Sequence, residues 1–157
     1  MSLTAQIAKQ FRDVHFGGNW TFVNLQDTLK DVNWQQATTQ IYSFNTIAVL
    51  VYHINYYVDG VSKVLKGGGL DISDRFSFDL LPIQSHEDWQ KLLDKLWTDA
   101  ETFAGQIEQL PEQRLGEIFV EEKYGTWYRN LAGITEHIHY HLGQIVLIKK
   151  MLLQIEE

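Results

Sequence analysis

Residues 136–145, EHIHYHLGQI, place three histidines at alternate positions in a chain that contains only six. A helix advances about 100° per residue, so side chains four positions apart nearly eclipse and side chains two apart point in nearly opposite directions. His137 and His141 therefore share one face of a helix. His139 lies on another face, and we assign it to a surface or an interface.

The composition limits the class of protein. A chain of 157 residues with 45% hydrophobic and 13% aromatic residues has the size of one domain and can bury one core. We therefore expect a single domain over residues 1–157. The 13 basic residues against 20 acidic ones give a net charge of −7. Because the longest basic run is the Lys149-Lys150 pair, nothing indicates a nucleic-acid partner.

The sequence also bears on location. It has no cysteine, which excludes disulfides, thiolate metal sites and a cysteine nucleophile. The first residues, MSLTAQIAKQFRD, lack the basic and apolar regions of a secretory signal. No apolar run approaches the roughly 18 residues of a membrane span. These features predict a cytoplasmic protein without membrane contact.

Apolar residues recur at spacings of three and four along most of the chain, which predicts helices. Residues 3–31 form a first helical segment that Gly17-Gly18 interrupts, with Asn19 as a new N-cap. Residues 43–65 form a second helix, which the glycine run at 67–69 ends.

The second half of the chain predicts two further helices. The third begins at Ser85, which precedes Asp88 by three residues as in a capping box, and ends at Pro111. A short irregular or extended link covers 119–126, and the fourth helix runs from about 126 to 153. Four helices of more than 20 residues each, without repeats, predict an all-α protein and one four-helix bundle.

Residues 67–84, GGGLDISDRFSFDLLPIQ, show no sustained period and are long for a connection. Three glycines give this segment conformational freedom, while its apolar side chains must pack or stay exposed. We consider two interpretations, a lid over a functional site and a statically docked loop that covers the core.

His137 and His141 are one turn apart and can hold one ion, but a site needs a third ligand from elsewhere. We expect His86, after a predicted N-cap, and His15, beside the glycine break, to be solvated. His53 lies in the middle of the apolar second helix, where its ring needs a polar partner. With the pair it would supply three neutral imidazoles and leave room for water or substrate. A hydrogen-bonded core histidine and a chance pair are the alternatives.

Two further polar side chains lie near this set. Gln144 is about 20° from the face of His137 and could bond near a metal or hold the helices together. Tyr57, one turn after His53, could reach a cavity or pack in the core. We expect Glu136 to be solvated. No carboxylate stands out as a catalytic acid or base, so the catalytic residues are unknown.

Two segments carry a family resemblance, Val49–Ile54 (VLVYHI) and His137–Ile145 (HIHYHLGQI). With them the chain resembles the DinB-like superfamily of metal-binding four-helix bundles. The GGNW stretch at 17–20, the EDW stretch at 87–89 and the overall length are similar to one branch of that family.

The resemblance implies one divalent ion per chain, zinc or nickel, held by His53, His137 and His141. It also implies a bundle with a long crossover connection. Characterised relatives are thiol-dependent transferases and isomerases, which use the metal to activate a low-molecular-weight thiol such as mycothiol or bacillithiol, and others are described as metal-dependent hydrolases. No residue here selects among these activities.

We therefore predict a metal-dependent enzyme that activates such a thiol, or water, for attack on a small electrophilic substrate. A three-histidine divalent site can lower the pKa of a bound water or thiol toward neutrality. The alternative is a non-catalytic protein whose ion staples the second and fourth helices while the bundle serves as a binding or stress-response module.

Aromatic side chains in the first helical segment suggest self-association. Phe11, Phe16, Trp20 and Phe22 surround the glycine break, and we expect some of them at a subunit interface rather than in the core. Dimers are common in the DinB-like family, so the resemblance also implies a homodimer.

Overall fold

The computed structural model describes residues 1–155 and is all-helical, which confirms the predicted all-α class. Within this range lie six α-helices: α1 (Leu3–Phe16), α2 (Leu25–Leu29), α3 (Trp34–Thr38), α4 (Ile47–Leu65), α5 (His86–Gln109) and α6 (Trp127–Ile155). Short 3-10 turns cover Asp74–Phe76, Glu112–Gly116 and Glu122–Tyr124. An isolated antiparallel bridge joins Ile118 to Thr126 in the link before α6.

The first helical segment breaks where its glycines predict. Gly17, with a φ of 108° that favours glycine, ends α1, and its N–H donates to the carbonyl of Asp13. The prediction that Asn19 caps the next helix is wrong. Its amide donates to the Val23 carbonyl, and Asn24 caps α2 instead.

The predicted helix lengths are wrong for two helices. α1 has 14 residues and α4 has 19, so neither exceeds 20. α4 starts later than predicted because the hydroxyl of Thr46 accepts from the N–H of Val49 and caps it there. It ends as predicted, where Gly67 has a φ of 89°. The short helix α3 was not predicted, since five residues give too little periodicity.

α5 begins at the predicted N-cap. The hydroxyl of Ser85 accepts from the N–H of Asp88 at 3.1 Å. The carboxylate of Asp88 accepts from the N–H of Gln84, one residue before the cap, rather than from Ser85 itself. The helix stops one residue before Leu110, which Pro111 follows.

The four longer helices share one core. α1 and α4 each pack against both α5 and α6. Their apolar stripes meet in the interior, where each fully buried large side chain contributes about 1.5–3 kcal/mol. The largest buried side chains are Phe11, Leu25, Leu29, Ile47, Ile54, Trp89, Leu96, Phe103, Ile107, Leu131, Ile138 and Ile145. Among the helices of residues 1–155, none is both long and apolar enough to cross a membrane.

The prediction that His15 is solvated is wrong, whereas His86 is exposed as predicted. His15 is fully buried at the end of α1. Its Nδ1–H donates to the carbonyl of Phe11 at 2.9 Å, and its ring lies 4.5 Å from the ring of Phe11. The carbonyl four residues earlier thus supplies a polar partner for Nδ1, whereas Nε2 is buried without a hydrogen-bond partner among the described residues.

Candidate metal centre

Three histidines on two helices direct one ring nitrogen each to a common point. The Nε2 atom of His137 on α6 lies 3.0 Å from Nε2 of His53 on α4 and 3.0 Å from Nε2 of His141. The potential ligand atoms of all three lie within 4.8 Å of one another. The structure thus brings together the three predicted ligands. His139 is half-buried on another face of α6 and takes no part in the group.

The separation of the nitrogens suits a metal ion. Imidazole ligands about 2.05 Å from zinc lie about 2.9 Å apart at a 90° angle and about 3.3 Å apart at the tetrahedral angle. The two Nε2 separations of 3.0 Å fall within this range. The donor set is therefore compatible with one small divalent cation at the centre.

Hydrogen bonds fix which nitrogen faces the centre in two of the rings. Nδ1 of His53 lies 3.1 Å from the carbonyl oxygen of Ser77, and Nδ1 of His141 lies 2.7 Å from Oε1 of Gln144. Because these oxygens can only accept, each Nδ1 carries the proton. In the neutral ring each Nε2 then presents a lone pair to His137, which is the tautomer that a metal ligand needs.

The protonation state also suits metal binding. Burial, together with the charge effects of His141 and His53, lowers the pKa of His137 to about 4. Burial likewise lowers the pKa of His53, although its bond to Ser77 acts in the opposite direction. Both rings are therefore neutral near pH 7.

The two polar residues predicted near the site differ in role. Gln144 accepts the Nδ1 proton of His141, so it contacts a candidate ligand directly. The Tyr57 ring packs edge-on against His53 at 5.3 Å and His137 at 5.0 Å. Its hydroxyl, however, donates to a carboxylate oxygen of Asp74 at 2.8 Å.

The connection between α4 and α5 forms one wall of the site. Besides the Ser77 carbonyl, it supplies the ring of Phe78, which stacks on His53 at 3.9 Å with an interplanar angle of 9°. Phe78 is one of the apolar side chains that the sequence predicts to form a lid or to pack on the core. Sequence reasoning missed the Ser77 carbonyl, because a backbone carbonyl has no signature in residue type.

The same connection is docked along α4. The hydroxyl of Tyr56 bonds to both the N–H and the carbonyl of Ser73 at 3.0 Å. Gly60 leaves room for Ile72, since a Cβ at Gly60 would lie 2.6 Å from Cγ2 of Ile72. These contacts describe a segment packed against the helix that carries His53.

A cavity of about 630 Å³ adjoins the centre, and His137 contributes to its lining. Its other lining residues come from α4, the connection, the link before α6 and α6 itself: Tyr57, Val61, Leu70, Ile72, Ser73, Asp74, Phe119, Tyr124, Arg129, Asn130, Gly133, Ile134 and Glu136. Within residues 1–155, no fourth histidine or carboxylate joins the three histidines. A closed structural zinc site has four protein ligands, so three histidines alone would leave a bound zinc ion one further coordination position.

Fold and site together define the class: an all-helical protein with a buried histidine group that could hold a metal ion. Comparison of the chain with models of protein families, with curated proteins and with solved structures gave no match. The function proposed below therefore depends on the geometry of the site and on the resemblance of the two histidine segments.

Proposed function

We propose that this chain is a DinB-like protein that binds one divalent metal ion, zinc or nickel, through His53, His137 and His141. The observation that carries the proposal is the convergence of three Nε2 atoms, two of them fixed as acceptors by Ser77 and Gln144. A core histidine that served packing alone would need one hydrogen-bond partner, not two further imidazoles.

The proposal includes the family's architecture. We take the four longer helices as a four-helix bundle and residues 66–85 as its long crossover. Packing of α1 and α4 against both α5 and α6 supports this topology. We also propose a cytoplasmic homodimer. Trp20 and Phe22 support self-association because their side chains are 96% and 90% exposed, whereas Phe11 is buried.

We propose further that the protein is an enzyme acting on a small electrophilic substrate. A divalent ion held by neutral imidazoles supplies the positive charge that makes a low-molecular-weight thiol or water nucleophilic near neutral pH. His137 borders the cavity, so a reactant in the cavity has access to the centre. Thiol transfer is favoured over hydrolysis by the resemblance alone.

In this proposal the other residues position the histidines and shape the cavity, and none of them transfers a proton. Burial raises the pKa of Tyr57, so its phenol stays protonated and donates to Asp74. Phe78 covers one face of His53. We assign no general acid or base, because the cavity carboxylates are Asp74, which is engaged by Tyr57, and Glu136, which is exposed as predicted.

One observation favours the non-catalytic alternative. His53 and His141 are only 5% and 7% exposed, and the group joins α4, α6 and the connection between α4 and α5. An ion there would staple three parts of the chain. This alternative predicts metal binding and metal-dependent stability without any turnover.

A reaction screen separates the two functions. Protein loaded with zinc or nickel, and metal-free protein, would be incubated with monobromobimane and bacillithiol, mycothiol or glutathione, and separately with p-nitrophenyl acetate. If the protein is an enzyme, we expect turnover that depends on the metal. The His137→Ala variant should lose this turnover, and the His139→Ala variant should keep it. If the protein binds one metal ion per chain but catalyses none of these reactions above background, the non-catalytic alternative is supported. If it binds no metal, both functions are contradicted.

A further inference from the structure

One face of α6 lines the cavity from the start of the helix to the metal centre. Arg129, Gly133 and His137 follow one another at intervals of four residues on this face, and all three line the cavity. Eight residues of helix span about 12 Å. The cavity therefore extends along α6 with Arg129 at one end and His137 at the other.

The side chain of Arg129 is positioned by the loop before α6. Its Nη1 donates to the carbonyl of Tyr124 at 2.9 Å. Gly125 has a φ of 74°, and a Cβ there would lie 2.9 Å from Cδ of Arg129. The absence of a side chain at Gly125 thus makes room for Arg129 in this orientation.

The charge of Arg129 has no acidic partner in the part of the chain that the structure describes. Arg12 pairs with Glu101 and Glu108, and Arg114 pairs with Glu117. Among the described residues, the guanidinium of Arg129 donates only to the Tyr124 carbonyl, which leaves donors for an acceptor that enters the cavity. Guanidinium groups bind carboxylates with two parallel hydrogen bonds.

The remaining lining favours one orientation of an anionic ligand. The acidic lining residues are Asp74, which bonds to Tyr57, and Glu136, which precedes His137. Both lie toward the histidine end and disfavour an anion there. The lining also includes five apolar side chains for the body of a ligand, Val61, Leu70, Ile72, Phe119 and Ile134, together with the polar Ser73 and Asn130.

We propose that Arg129 is the specificity-determining residue of this cavity and binds the carboxylate of an elongated substrate, at a position about 12 Å from His137 along the axis of α6. The apolar body of the substrate lies along α6, and its reactive group reaches the centre. The identity of the reactive end rests on the proposed function. Capture of the carboxylate by Arg129 does not, because it needs no metal.

Gly133 provides an independent way to block the same path. Apart from Gly133 itself, its two chain neighbours and the adjacent backbone of α6, no heavy atom of the described residues lies within 4 Å of the position that a Cβ would take there. A Gly133→Leu side chain would therefore project into the cavity, while replacing glycine inside a helix favours the helix. Gly105 on α5 has the same open surroundings away from this cavity, so Gly105→Leu is the matched control.

The test uses 4-phenylbutyrate and its neutral analogue 4-phenylbutyramide as probes, titrated into metal-free and zinc-loaded protein by NMR. We expect the acid to bind both forms and more tightly than the amide. Arg129→Gln should weaken binding of the acid by roughly fivefold, as loss of an exposed charge pair predicts, and leave the amide unchanged. Arg129→Lys should retain part of the preference, and Gly133→Leu, but not Gly105→Leu, should weaken both probes.

Two other results would overturn the assignment of Arg129, and a third would separate it from the proposed function. If the acid binds only zinc-loaded protein, and equally with Arg129→Gln, then the metal and not Arg129 holds the carboxylate. If neither form prefers the acid, the cavity has no carboxylate site. If the protein binds no zinc but Arg129-dependent binding of the acid persists, the proposed metal function fails while the role of Arg129 stands. Thermal unfolding of each variant confirms that it folds.

Discussion

The Nδ1–H of His53 donates to the backbone carbonyl of Ser77 at 3.1 Å, across 24 positions of the chain. This bond joins a candidate metal ligand in the middle of α4 to the connection that follows that helix. It fixes the tautomer of His53 and holds the connection against the site. Metal binding and docking of residues 67–84 are therefore expected to depend on each other.

Hydrogen exchange across 67–84 tests whether this segment is docked or acts as a lid. Because Tyr56, Tyr57 and His53 all bond to it, we expect amides such as that of Ser73 to be protected before any ligand is added, and unchanged afterwards. Protection that arises only when acetohydroxamate is added to zinc-loaded protein would show a lid.

Gly60 allows the docking contact to be removed. Gly60→Ala would force Ile72 away, because their atoms would approach to 2.6 Å. We expect faster exchange across 67–84 and a lower free energy of unfolding. Gly105→Ala, at a helical position with open space, should instead stabilise by up to about 1 kcal/mol. Equal behaviour of the two variants would contradict the docked state.

Gln144 should act on metal affinity through His141. Gln144→Ala removes the acceptor of the Nδ1 proton, and loss of such a partner typically weakens metal binding by about 10- to 100-fold. Gln144→Glu keeps an acceptor and should retain affinity. Gln154→Ala, at an exposed position on the same helix, is the control. Zinc titration against a competing chelator measures all four proteins, and unchanged affinity in Gln144→Ala would exclude this role.

His15 should make stability depend on pH. Burial lowers its pKa from 6.5 to about 4, although its bond to Phe11 and the charge of Glu101 act in the opposite direction. The unfolded state therefore binds the proton more readily, so this contribution is present above about pH 6.5 and is lost as pH falls toward about 4. The loss is at most about 3 kcal/mol.

His15→Leu isolates this effect. The variant should show a shallower fall in the free energy of unfolding between pH 6.5 and 4 than the parent, measured with urea on metal-free protein. Parallel pH profiles for the two proteins would show that His15 does not titrate in this range.

The exposed aromatics of the loop after α1 are expected to lie at a subunit interface. Trp20→Ser together with Phe22→Ser should shift a dimer toward monomer in light scattering at high micromolar concentration. Leu81→Ser changes another highly exposed apolar residue, elsewhere on the surface, and should leave the mass unchanged. A monomeric parent chain would contradict the proposed homodimer.

Helical periodicity predicted the all-α class because apolar side chains must face one core. Glycines, Ser85 and Pro111 marked several helix ends, but the start of α4 at Ile47 was not predicted. The pairing of His137 with His141 followed from the pitch of a helix, and His53 from its place in an apolar stretch. The prediction that His15 is solvated was wrong, because its Nδ1 bonds to a local backbone carbonyl that the sequence pattern does not reveal. The short helices and the Ser77 contact depend on caps and long-range backbone bonds that periodicity does not encode.

The metal content of purified protein, measured by mass spectrometry alongside the chain concentration, tests the central claim most directly. The three-histidine centre predicts about one zinc or nickel ion per chain in the parent protein and in His139→Ala, and far less in His53→Ala, His137→Ala and His141→Ala. Equal metal content in all of these variants, or a parent protein that binds no divalent ion when zinc or nickel is supplied, would contradict it.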